Sequence, residues 1–193
     1  MTTRAFAAAV GLAAVLAASA AWPQTTLRPV SPQPAPESLT QGLEVSYAYG
    51  GVRMLSGAAA ALQASGEPGP PLIGLDYPDG GDGAKVMTST ASRNVSAQIN
   101  GYLRFDQPGV WRLQFHNNDG MRVRIGGETV YLDDSRTPCD TVGWTEVTVP
   151  QAGWYAVDIL FFQRLSSSCA MLRWERPDGV TQWAPPEVWA YQP

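Results

Sequence analysis

Between residues 101 and 120 the chain reads GYLRFDQPGVWRLQFHNNDG, and this stretch limits the possible folds more than any other. A Pro108-Gly109 turn leads into a run in which Trp111, Leu113 and Phe115 alternate with Arg112, Gln114 and His116. Successive strand residues point to opposite faces, so this two-residue period predicts an antiparallel strand with one face buried and one wet. The strand delivers Asn117, Asn118 and Asp119 to a rim of its sheet. A second strand begins at once: Met121, Val123 and Ile125 alternate with Arg122 and Arg124, and Gly126-Gly127 turns the chain into ETVYL at 128–132.

Other segments follow the same pattern. Residues 42–49 alternate well enough for a first strand, and 145–149 form a short one. Over 154–162, Tyr155, Val157, Ile159 and Phe161 share a face, and Ala170, Leu172 and Trp174 then alternate with Met171, Arg173 and Glu175. Residues 55–66 (LSGAAAALQASG) form either a short helix, since Ala favours one, or an irregular excursion. With Gly 19 and Pro 16 supplying turns and no internal repeat, eight to ten short strands predict an all-β, antiparallel sandwich or barrel.

The first residues read as a targeting signal. Arg4 precedes an apolar run over 5–18, and Ala18-Ser19-Ala20 fits small-x-small cleavage, giving a signal peptide over 1–20. The run is too short for a membrane span, so no span is expected in the mature form. An exported chain is expected, periplasmic or extracellular. Residues 21–41, rich in Pro, Gln, Ser and Thr, read as an extended tether, and residues 42–190 as one β domain.

Charge and composition exclude several functions. A formal net charge of −4 argues against nucleic acid, which needs a basic face to displace counterions. Arg112, Arg122 and Arg124 suggest a basic patch, read here as the solvated face of a hairpin. With a single His, His116, at a solvent-facing strand end, a nucleophile-base pair has little to draw on. Ser166-Ser167-Ser168 lacks the glycine-flanked setting of a nucleophile elbow, so a non-enzyme is expected. Cys139 and Cys169 in an exported chain favour a disulfide over free thiols. Closing a loop of about 30 residues contributes roughly 3–4 kcal/mol on the chain-entropy model. Asp76, Asp79 and Asp82 lack the alternate-residue spacing of an EF-hand loop and read as a turn.

The ordered run GYL…PGVWRLQF…NDGMRVRIGGETVYLD, followed by VPQAGWYAVDILFF and AMLRWERPDG, resembles the protective-antigen domain family. That family is named after the anthrax toxin component and is shared by yeast flocculins and bacterial glycosidases. The resemblance implies a site. In sugar-binding members, two adjacent carboxylates, often across a cis peptide, grip a calcium ion that coordinates vicinal hydroxyls of a glycan. Here the pair is Asn118-Asp119, with an amide in place of the first carboxylate, and the second ligand loop matches 163–168, with Gln163 and Ser166 as ligands. A Cys139–Cys169 bridge would clamp that loop. The competing reading makes Asn118-Asp119-Gly120 a turn, with Gly120 supplying a permissive φ.

Trp111, Trp154 and Trp174 are expected in the core, whereas Trp144, Trp183 and Trp189 are freer to stack on a sugar. The chain thus reads as a secreted carbohydrate- or cell-surface-binding module, calcium-assisted and non-catalytic. The alternative is an envelope structural or protein-interaction module without metal.

Overall fold

The computed structural model describes residues 25–141 and 143–193; the expected signal peptide (1–20) and residues 21–24 of the expected tether lie outside them. In chain order the elements begin with β1 (Thr25–Thr26), β2 (Thr40–Gln41), β3 (Glu44–Tyr49) and helix α1 (Leu55–Ser65). Next come β4 (Glu67–Pro68), β5 (Asp76–Tyr77), β6 (Val95–Phe105), β7 (Gly109–Asn118), β8 (Gly120–Ile125) and β9 (Glu128–Asp133). Then follow β10 (Asp140–Thr141), β11 (Thr145–Val149), β12 (Gly153–Gln163), β13 (Cys169–Glu175), β14 (Thr181–Trp183) and β15 (Trp189–Tyr191).

These strands form two sheets with open edges, a sandwich rather than a closed barrel. The first runs β1-β11-β7-β13-β14, with β10 also on β7 and β5 on β13. The second runs β2-β15-β6-β12-β8-β9, with β3 on β6 and β4 on β3. All pairs are antiparallel except β1 with β11. The core lies between the sheets. The alternating residues Trp111, Leu113 and Phe115 meet Tyr155, Val157, Ile159 and Phe161 there, all nearly or fully inaccessible. Phe105, Trp111 and Trp174 pack as one aromatic group, with centroids 4.9 to 5.9 Å apart.

The chain changes sheets at Asp119. β7 is the middle of the first sheet, between β11 and β13, while β8 lies in the second, between β12 and β9. The segment that reads as a hairpin is therefore a crossing. This separates Arg112 from Arg122 and Arg124, which lie on the outer faces of different sheets and form no common patch. Gly120 is required by contact rather than by φ: a Cβ there would collide with the Phe162 ring.

Residues 25–41 correct the expectation of a free tether. Thr25–Thr26 pairs in parallel with β11, and Leu27 is fully buried in the core. The Gln33 side chain accepts from the Trp154 amide at 2.7 Å and donates to the Trp154 carbonyl at 3.1 Å. Proline removes donors from this segment, yet the amides of Leu27, Arg28 and Val30 still bond the carbonyls of Thr148, Gly126 and Trp154 at 2.9 to 3.2 Å and help to fasten it. The 55–66 segment is α1, which packs through Leu55 and Ala58 on Leu160 and Phe162, on the outer face of the second sheet. No residue near Met54 caps α1; Asp134 Oδ1 accepts from the Leu55 amide at 2.5 Å instead.

Candidate functional site

Two crossings between the sheets meet at one end of the sandwich. One is Asp119, between β7 and β8; the other is the 164–168 loop, between β12 and β13. Asp119 joins them. Its main-chain N–H donates to the Phe162 carbonyl at 3.0 Å, and its Oδ2 accepts from the Arg164 amide at 2.7 Å. The Asn118–Asp119 peptide is cis. Asp119 is only 8% exposed, and burial pushes its carboxyl up from the ordinary range, against the Arg164 amide and the charges of Arg136 and Arg164.

A polar network seats this head. The buried Asn117 donates through its amide to the Asp119 carbonyl, which also accepts from Thr137 Oγ1 at 3.2 Å. Tyr131 donates to Asn117 Oδ1 at 2.6 Å. Asp133 accepts from Thr137 Oγ1 at 2.8 Å and from the Ser135 amide at 3.1 Å. Burial alone would raise the Asp133 carboxyl, but the donors on Ser135, Thr137 and Asn117 outweigh it and hold it below the ordinary range. The Tyr131 hydroxyl is pushed up to about 12 by burial and by the Asp133 charge. Sequence reasoning placed Asn117 at the rim but not in this buried network, and it missed Tyr131, Asp133 and Thr137. Only the inward position of Asn117, in register with Leu113 and Phe115, signalled a buried polar residue.

The expected ligand residues divide. Asn118 is half-buried on the outward side of β7, and its side chain makes no hydrogen bond with the described residues. Gln163 is fully buried; its Nε2 donates to the carbonyls of Ser166 (3.1 Å) and Ser167 (3.3 Å), so it shapes the loop from beneath. Its Oε1 has no partner among the described residues. Ser166 is exposed with φ +65°, and Ser167 Oγ donates to Asp79 Oδ2 at 2.7 Å. Asp79 Oδ1 also accepts from the Gly81 amide at 2.8 Å, which ends the turn expected at 76–82 and ties it to the candidate loop. The Cys139–Cys169 disulfide is formed, with Cα atoms 5.9 Å apart. Because Cys169 pairs with Asn118 across β13 and β7, the bridge lies beside the site.

Calcium takes six to eight oxygens and tolerates amide, carboxylate, carbonyl and water ligands together. The Asn118 amide and the Asp119 carboxylate fit that chemistry at the rim. Among the described residues no three His, Cys, Asp or Glu side chains gather, so any shell here must be completed by main-chain carbonyls, water or ligand hydroxyls.

Other sequence expectations are corrected. Trp189 is buried in the core, with Gly74 against its indole, so it is no stacking platform. Trp154, expected in the core, is partly exposed under the Arg104 guanidinium at 5.6 Å. His116 is 9% exposed rather than solvent-facing, since the Trp183 ring lies 5.2 Å from it. No helix among the described residues is long and apolar enough to cross a membrane.

No curated protein matches the chain by sequence. Among solved structures, the PA14 domain of the MpAFP antifreeze protein superposes with a TM-score of 0.67 at 15% identity, covering 84% of this chain and 96% of that one. The PA14 sugar-binding domain of an RTX adhesin gives 0.60 at 15% identity, with coverage of 79% and 99%. The A domain of epithelial adhesin 9 from Candida glabrata, in complex with Galβ1-3GlcNAc, gives 0.64 at 12% identity, with coverage of 86% and 96%. A family model, the PA14 domain, matches residues 78–187, from the Asp79 turn through both crossings, and the chain belongs to that family.

Proposed function

We propose that this chain is an exported, non-catalytic carbohydrate-binding module whose glycan sits at the rim around Asn118 and Asp119, with calcium as the bridging ion. The observation that carries the reading is the head itself. An outward amide with no hydrogen bond to the described residues stands beside a carboxylate bonded to the Arg164 amide, and Asn117 and Thr137 hold the Asp119 carbonyl from beneath. Such preorganisation lowers the entropic cost of binding. Bound there, calcium would offer open coordination positions to vicinal hydroxyls. Asn118 supplies an oxygen without charge, Asp119 the one carboxylate, and the 164–168 loop its exposed Ser166 edge.

Fold alone does not set function, but the sugar-binding RTX adhesin domain and the glycan-bound Candida adhesin domain support the reading on the same architecture. The disulfide supports an oxidising compartment and hence export. A glycan array probed with the mature protein tests it. Binding to a defined set of glycans in calcium, lost in chelator, is expected. Silence under both conditions would contradict it and leave the metal-free envelope module.

A further inference from the structure

The outer face of the first sheet carries a row of side chains that neither the core nor the rim site accounts for. Arg173 pairs in register with Trp183 on β14 and with Gln114 on β7. On the far side of β7, the Thr145–Leu113 pair brings Trp144, one residue earlier, alongside Gln114. The row therefore runs Trp144, Gln114, Arg173, Trp183 across four chain segments. At a strand spacing of about 4.8 Å its ends are roughly 14 Å apart.

The two tryptophans are not core residues. Trp183 is 43% exposed, Trp144 is partly exposed, and neither joins the buried cluster between the sheets. Trp144 lies beneath the Arg112 guanidinium at 5.1 Å, and Trp183 lies 5.2 Å from the His116 ring. Gln114 and His116 project from the same face and are 5% and 9% exposed. The face thus presents two partly exposed indoles with the exposed Arg173 guanidinium between them.

Charge selects the occupant. Arg112 is committed to Glu175 at 3.0 Å and to Glu146 at 3.8 Å. Arg173 is exposed and has no ion pair among the described residues. A guanidinium recognises a carboxylate through two parallel N–H donors, while an indole offers a flat apolar face. A pyranose ring bearing a carboxylate presents both complements at once. An acidic peptide side chain has the charge but no rigid apolar ring face. A single exposed arginine on this face, in a chain of net charge −4, is too little for nucleic acid.

We propose that this row is a second, metal-independent glycan site, specific for uronate-containing oligosaccharides, with Arg173 on the carboxylate and Trp144 and Trp183 against the sugar rings. It goes beyond the rim site and does not depend on it. The two are nonetheless contiguous, because Arg112, Gln114, His116 and Asn118 alternate along one face of β7.

The test is a calorimetric titration of trigalacturonate into the full chain in chelator, with the neutral galactose trisaccharide as control. Trigalacturonate should bind at least about tenfold more tightly than the neutral sugar. Arg173→Gln and Trp183→Ala should each weaken it about tenfold in variants that remain folded by circular dichroism. Asn118→Ala should leave it unaltered. No binding in chelator, equal binding of the neutral sugar, full binding by both face variants, or loss only in Asn118→Ala would each overturn the proposal.

Discussion

The main-chain amide of Arg164 donates to Asp119 Oδ2 at 2.7 Å, joining two of the places where the chain passes from one sheet to the other. The two residues are 45 positions apart in sequence. Removing the acceptor would leave a partly buried donor unsatisfied, which costs about 1–3 kcal/mol. Asp119→Ala is expected to lower stability by that amount in denaturant titrations without changing the slope. It should also abolish any calcium response.

Asp119 and Asp133 titrate in opposite senses. Burial first, despite the Arg164 amide and the charges of Arg136 and Arg164, holds Asp119 above 3.8. Its folded form therefore prefers the proton, so its contribution to stability is greatest below the unfolded value and falls as pH rises through the folded one. Asp133 is depressed, because its hydrogen bonds outweigh its burial. Its contribution is present above 3.8 and is lost as pH falls through the lowered value. Cation binding needs ionised Asp119, so calcium affinity should begin to fall at a pH above 3.8, while Asp133 is still ionised and the fold intact. Calcium titrations paired with near-ultraviolet circular dichroism at stepped pH check the order. Simultaneous loss of binding and fold would contradict it.

The all-β antiparallel class and most of the strands were legible in the sequence, because Trp111, Leu113 and Phe115, and Tyr155, Val157, Ile159 and Phe161, recur every second residue, whereas the choice between sandwich and barrel was left open. The disulfide was legible from the cysteine count. The change of sheet at Asp119 was not, since a hairpin and a crossing share the same alternation and differ only in which strand accepts the next hydrogen bond. Leu27 was hidden by its proline-rich surroundings. The Asp79–Ser167 and Asp134–Leu55 contacts were hidden because each joins a local turn residue to a distant partner. At the rim, Asn118 and Asp119 could be named from the family pattern, but the role of Gln163 as a support from below needed the fold.

The Cys139–Cys169 bridge closes a separation of 30 residues and lies beside Asn118. On the chain-entropy model its loss costs roughly 3–4 kcal/mol. Reduction, or the Cys139→Ser/Cys169→Ser double variant, should lower the unfolding midpoint by roughly 7–15 °C for a domain of this size. Glycan binding at the rim should weaken in the same samples at temperatures where they remain folded.

Leu27 anchors the segment before the domain proper. Truncating a fully buried leucine to alanine costs about 2–5 kcal/mol where the cavity cannot collapse. Leu27→Ala should show a loss in that range by denaturant unfolding, together with faster hydrogen exchange at the β11 amides that pair with β1. A change below about 0.5 kcal/mol, the usual size for an exposed position, would mean that the segment is only a tether.

The most direct test of the central claim is thermal unfolding of the oxidised protein in millimolar calcium and again in chelator. Calcium at about a hundred times its dissociation constant adds roughly 2.7 kcal/mol. For a domain of this size that is a rise of roughly 5–10 °C. The account predicts such a rise in the wild type and none in Asp119→Ala. Identical midpoints for the wild type in calcium and in chelator would contradict a calcium-bridged rim.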